Sequence, residues 1–154
     1  MHRRATTLLV LFAALQALAP APARAQWRAT GPLAAIPVVK DCNETGGDVA
    51  VARLDPPTIY VCPHVMALVR KKTPGAEQFY LVHEYGHVVQ GTADEALADC
   101  WAARELARTA SGRRIVEAAV EHFRQRGSEY SPRYGTPIAR AERIRACADE
   151  APSR

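Results

Sequence analysis

The sequence predicts an α+β fold, with a small N-terminal β-hairpin or sheet packed on a mainly helical core. Two observations carry that prediction. Two β-prone runs, residues 49–54 and 59–62, lie close together in the first half, separated only by Asp55-Pro56-Pro57-Thr58. From Gly75 to Ser131 the chain then contains no proline, and its apolar residues recur at helical spacing.

Residues 1–25 open with a short positive start (Arg3, Arg4), continue through the apolar run 8–15 and close on Ala23-Arg24-Ala25, an A-x-A cleavage signature. They read as a secretory signal peptide, so the protein is expected to be exported, either periplasmic or secreted. The apolar stretch 5–19 is interrupted by Thr6, Thr7 and Gln16 and stops at Pro20. It falls short of the ~20 apolar residues of a bilayer span, so no stable membrane anchor is expected after cleavage. The whole chain carries 20 Lys+Arg against 16 Asp+Glu, a net +4 that by itself suggests a nucleic-acid or membrane-surface partner. Cleavage removes three arginines and no acid, leaving 17 basic against 16 acidic residues. Residues 26–154, read as one domain, are therefore nearly neutral, and no nucleic-acid partner is expected.

Within that domain, residues 26–36 look like an irregular lead-in around Gly31-Pro32, and 35–39 begin a strand. The turn Thr45-Gly46-Gly47-Asp48 precedes the two β-prone runs, which read as a hairpin. Pro63 ends the second run. Residues 64–70 then form a short helix stopped by Lys71-Lys72-Thr73-Pro74-Gly75. Over 76–90, Phe79, Val82, Gly86 and Val89 share one helical face and Leu81, Tyr85 and Val88 make a second apolar edge, so this helix should be largely buried, with Gly91 as its stop. A second long helix opens at Thr92-Ala93-Asp94-Glu95 and runs to about Thr109, with Leu97 and Trp101 packing against its neighbour. A Ser111-Gly112 break precedes a third helix over 114–126, ended by Gly127. After the polar loop 128–137, a final helix covers 138–148.

The exported part holds four cysteines, Cys42, Cys62, Cys100 and Cys147, an even number that suggests two disulfides in an oxidising compartment. Three pairings exist, and the simplest geometry ties Cys42 to Cys62 and Cys100 to Cys147. No C-x-x-C spacing is present, which argues against a thiolate zinc cluster.

The chemistry is concentrated in His83-Glu84-Tyr85-Gly86-His87, an H-E-x-x-H inside the helix expected to be buried. Residues four apart lie on one face one turn from each other, so the two imidazoles can converge on a single Zn2+ while Glu84 serves as general base toward a water there. A buried glutamate flanked by two histidines would be costly with nothing to satisfy it. A catalytic zinc needs a third protein ligand. The metzincin extension would require Gly at position 90 and His at 93, where this chain has Gln90 and Ala93. Glu95-Ala96-Leu97-Ala98-Asp99 supplies an alternative: Glu95 as ligand and Asp99 as acceptor of the outer N–H of one histidine, fixing its tautomer. Two competing readings stay open, because Thr92-x-x-Glu95 is also a capping box and Asp94 is a rival ligand one residue away.

These two blocks, residues 83–90 and 95–102, resemble the gluzincin-type zinc metallopeptidases, in particular the minimal gluzincins and the bacterial neutral zinc metallopeptidases. Tyr134-Gly135-Thr136-Pro137 leading into residues 141–144 adds a weaker likeness, and the resemblance covers about residues 49–148. It implies a zincin-like core, a peptide or protein substrate, hydrolysis of peptide bonds, and a strand that pairs with extended substrate, for which residues 59–62 are the candidate edge. Tyr134, Tyr130 and His122 are the available donors to stabilise an oxyanion, with Tyr134 the candidate catalytic one. His64 reads as a turn or surface histidine. The alternative from another class is a non-catalytic, zinc-stabilised exported binding or assembly protein on the same scaffold, which would have no need of an intact Glu84.

Overall fold

Three short strands form one sheet in the computed structural model, which describes residues 26–127 and 129–152. The signal-peptide reading of residues 1–25 lies outside them. Strands β2 (Ala50–Leu54) and β3 (Pro57–Val61) make the expected antiparallel hairpin, with Ala50 opposite Val61 and Leu54 opposite Pro57. Strand β1 (Val38–Lys40) joins parallel to β3, Val38 beside Ile59 and Lys40 beside Val61. The order is β1-β3-β2, so β3 sits in the middle with both sides paired. Disulfide Cys42–Cys62 ties the chain just beyond β1 to the end of β3.

Pro63 does more than end β3: it begins helix α1 (Pro63–Lys72), where its missing N–H and fixed φ suit the first turn. Helix α2 (Ala76–Gln90) has the bounds its periodicity predicts. Gly91 closes it at φ 59°, a left-handed conformation that glycine adopts without a Cβ clash, and its N–H bonds back to carbonyls of the last turn.

Helices α3 (Glu95–Ala107), α4 (Ala110–Arg124) and α5 (Pro137–Asp149) follow. The break expected at Ser111-Gly112 is not there. The chain turns two residues earlier, and Thr109 caps α4 by accepting from the Gly112 N–H at 3.0 Å. Gly112 serves packing instead. A Cβ on it would lie 1.9 Å from the Leu106 carbonyl oxygen, so only glycine lets the start of α4 fold this tightly onto the end of α3.

The main core lies among α2 to α5 around Phe79, Val82, Leu106, Ile115, Val120, Phe123 and Ile144. Burial of side chains this large stabilises by about 1.5–3 kcal/mol each. A smaller cluster, Ala50, Ile59, Val61 and Tyr85, joins the sheet to the other side of α2, which is therefore covered on two faces, as expected. Trp101 is partly buried against both clusters, whereas Leu97 is half exposed and not a core residue. Disulfide Cys100–Cys147 staples α3 to α5, so both pairings follow the simplest geometry and point to an oxidising compartment. Among the described residues no helix is long and apolar enough to cross a membrane.

Candidate metal centre

The site begins with a missing side chain. Gly86 lies between His83 and His87 on α2, and a Cβ there would come 2.8 Å from the carbonyl oxygen and 3.1 Å from the Cα of Ala98 on α3. Helix α3 thus lies directly on the backbone of α2. This contact sets Glu95 and Asp99, on either side of Ala98, over the histidines. All four side chains are buried, Asp99 completely.

His83 Nε2 lies 2.9 Å from Glu95 Oε2 and 3.0 Å from His87 Nε2, and His87 Nε2 lies 3.4 Å from the same Glu95 oxygen. The ligand atoms of this trio all fall within 4.8 Å of one another. The outer ring nitrogens decide what the inner ones can be. His87 Nδ1 stands 2.8 Å from the Thr92 carbonyl, which only accepts, so Nδ1 carries the proton. His83 Nδ1 stands 2.9 Å from Asp99 Oδ1, an acceptor too, although the N–H does not point straight at that oxygen and the contact is an ion-pair approach rather than a straight hydrogen bond. In the neutral tautomers that a metal needs, both imidazoles would turn Nε2 lone pairs inward, towards a carboxylate oxygen. Three electron-pair donors facing one point could hold a cation, and these residues fit a divalent metal ion.

With no ion between them, the same groups pair with one another. Burial alone would push the His83 imidazole down, but Asp99 and Glu95 outweigh it and hold it at about 9. Burial would raise Glu95, yet His83 and His87 keep its carboxyl well below the usual carboxylate range. Burial would likewise raise Asp99, but Arg140 and His83 hold it down at about 2. Glu84 behaves differently: burial raises it, and the opposing pull of His83 and His87 does not cancel that rise.

The two open questions at Thr92–Glu95 have clear structural answers. Asp94 is the N-cap of α3, its Oδ1 accepting from the N–H groups of Ala96 at 2.8 Å and Leu97 at 3.0 Å, so it is engaged there and is not in the metal-ligating group. Thr92 does not form a capping box with Glu95; its hydroxyl accepts from the Asp94 N–H. Glu95 is thus free to face the histidines. His64 is an exposed residue of α1 away from the trio.

A cleft of about 300 Å³ opens beside the site, lined by His83, Glu84, Tyr130, Tyr134 and, on the sheet side, Val49 and Ala50. Burial and Glu95 push the Tyr134 hydroxyl up to about 12, so it stays protonated. Tyr130 lines the same cleft but is largely exposed. His122 is elsewhere, buried against Tyr80 and Phe123 with Thr73 Oγ1 3.3 Å from its Nδ1, and is not an oxyanion donor for this cleft.

The strand expectation needs correction as well. Residues 59–62 cannot offer an edge, because β1 and β2 occupy both sides of β3. The open edge nearest the site belongs to β2. The Cys62 N–H bonds the Val49 carbonyl at 2.9 Å, so by the antiparallel alternation Val51 and Arg53 bond β3 while Ala50 and Ala52 turn their backbone groups outward. The outward Ala52 N–H is a hydrogen-bonding neighbour of Glu84.

Three arginines escaped the sequence reading. Arg140 grips Asp99 through Nε and Nη2, at 3.0 and 2.8 Å, and Arg143 Nη2 adds a bond at 3.0 Å. The Arg140 guanidinium lies 4.3 Å from the ring centres of both Phe123 and Tyr134. Arg133, in the loop before α5, donates from Nε to Glu95 Oε1. The i, i+3 spacing of Arg140 and Arg143 upstream of Cys147 was a usable signal, since a staple to Cys100 brings that helix beside Asp99; Arg133 had none. No family model, curated protein or solved structure matches this chain.

Proposed function

We propose that the protein is an exported zinc metallopeptidase, with His83, His87 and Glu95 holding the metal and Glu84 as general base. The observation that carries this reading is the convergence of the three ligand atoms beside a cleft that one of the three residues, His83, lines together with Glu84. Two imidazoles and one carboxylate, with no fourth His, Cys, Asp or Glu joining them among the described residues, form the donor set of an open catalytic zinc site, whereas structural sites close with four protein ligands. That difference favours catalysis over the non-catalytic binding protein.

A zinc ion held here supplies Lewis acidity, polarising a carbonyl oxygen and making water a stronger nucleophile near neutral pH. The chain's own residues do the rest. Substrate lies extended along the outer edge of β2, towards which Ala50 and the Ala52 carbonyl turn. Glu84 takes the proton of the attacking water and delivers it to the leaving amine nitrogen. Its burial raises its proton affinity, which suits pickup of the proton. Tyr134, protonated and on the cleft wall, donates to the oxygen on which negative charge develops. Asp99 and the Thr92 carbonyl hold the two imidazoles in the tautomers that face their Nε2 atoms inward.

The test is purified mature protein. Zinc bound one to one that survives Glu84→Ala, while cleavage of a casein-type or peptide-library substrate is lost by a factor of 10³ or so, supports the proposal. Absence of stoichiometric zinc would refute it.

A further inference from the structure

The turn that carries Arg133 is closed by two backbone hydrogen bonds, Ser131 N–H to the Gly135 carbonyl at 2.9 Å and Gly135 N–H to the Ser131 carbonyl at 2.7 Å. Gly135, at φ 76°, makes the reversal possible. The Arg133 N–H approaches Ser131 Oγ at 3.3 Å, and its guanidinium lies 5.4 Å from the Tyr134 ring centre, so both ends of the side chain are guided. From there Nε reaches Glu95 Oε1, across 38 residues of sequence. The Glu95 side chain is 3% exposed and Arg133 is 55% exposed, so the bond joins a buried carboxylate to a cation standing half in water.

We propose that Arg133 is a positioning residue for the metal centre: by holding Glu95 Oε1 it presents Oε2 alone to His83 and His87, and so couples the 131–135 turn to metal binding. The proposal rests on the metal-centre reading above. A glutamate at the start of a helix has three rotatable side-chain bonds, and a carboxylate with one oxygen free can swing or offer both oxygens to a metal. With Oε1 fixed, Glu95 becomes a one-oxygen ligand of set direction, which leaves room for a water beside it. The positive charge of Arg133 also repels a metal cation. Its exposure screens that repulsion more than it weakens a directed bond to a buried acceptor, so orientation outweighs repulsion. The coupling is reciprocal: a metal that immobilises Glu95 immobilises the partner of Arg133, and with it the turn.

Zinc affinity, measured against a chromophoric chelator, and amide exchange over residues 131–135 test this without any peptidase assay. Wild-type, Arg133→Ala and Arg133→Lys chains are compared. Arg133→Ala should bind zinc roughly tenfold or more weakly, as removal of such outer partners does elsewhere, and Arg133→Lys should recover part of the loss. Exchange in the turn should slow on zinc addition in the wild-type chain and not in Arg133→Ala. Zinc binding by Arg133→Ala as tight as wild type, or tighter, overturns the positioning role. A wild-type turn whose exchange ignores zinc overturns the coupling. A wild-type chain without stoichiometric zinc would instead remove the metal centre itself, a separate and recognisable failure.

Discussion

Gly86→Ala adds one methyl group at the closest approach of α2 and α3, and its effect can be worked from the distances. The new Cβ would sit 2.8 Å from the Ala98 oxygen, 3.1 Å from its Cα and 3.3 Å from its carbonyl carbon. Comfortable carbon contacts begin near 3.5 Å, so the helices must separate by roughly 0.5 Å. No rotamer change can relieve the clash, because all three atoms are helix backbone. Two energies oppose each other here. Alanine is favoured over glycine inside a helix by about 1 kcal/mol, while overpacking of this kind costs about 1–3 kcal/mol. The net expectation is destabilisation by about 1 kcal/mol, a fall of a few degrees in Tm. Metal binding should suffer more. Glu95 and Asp99 ride on α3 and the histidines on α2, and metal–ligand distances tolerate only about 0.2 Å of error. Thermal unfolding of the metal-free chain and zinc affinity by chelator competition separate the two effects. A variant that melts above wild type and binds zinc equally well would refute the claim that this contact sets the site.

Other perturbations probe the surroundings of the site. Asp99→Ala leaves the buried Arg140 guanidinium without its carboxylate, which should cost about 3–5 kcal/mol in urea unfolding. Burial, with Arg126, Lys72 and Arg140 contributing, pushes His122 down to about 4 from an unfolded value near 6.5. Between those values the unfolded chain binds the extra proton, so the His122 contribution is present above pH 6.5 and is lost as the pH falls towards 4. After allowance for solvent screening of its cationic neighbours this amounts to about 1–2 kcal/mol, and a His122→Gln chain should lack that part of the pH dependence of stability.

Helix α2 was legible to the residue because its signals are local: a 3.6-residue apolar period bracketed by Gly75 and Gly91. The trio of donors was legible for the same reason, since His83 and His87 lie on one helix and Glu95 opens the next, a short turn later. Gly112 shows where that logic ends. As an isolated letter it reads as a helix breaker, and only its approach to Leu106 reveals a packing role. The place of β3 in the sheet was hidden because it depends on a parallel strand, β1, with no turn to announce the pairing. Arg133 was hidden because nothing in its neighbourhood distinguishes it from other loop arginines; its meaning comes from a carboxylate 38 positions earlier.

That all donors fall between residues 83 and 95, with Asp99 one turn further on, bears on how the molecule is assembled. The loop to be closed is short, so bringing the three ligands together costs little chain entropy and does not wait for distant segments. A helical hairpin of α2 and α3 can gather the donors early, whereas Arg133, Arg140 and Arg143 arrive only when the last helix docks. An ion taken up by the hairpin would bias the late helix towards its native seat, because Arg140 and Arg143 on that helix bond Asp99 beside the trio.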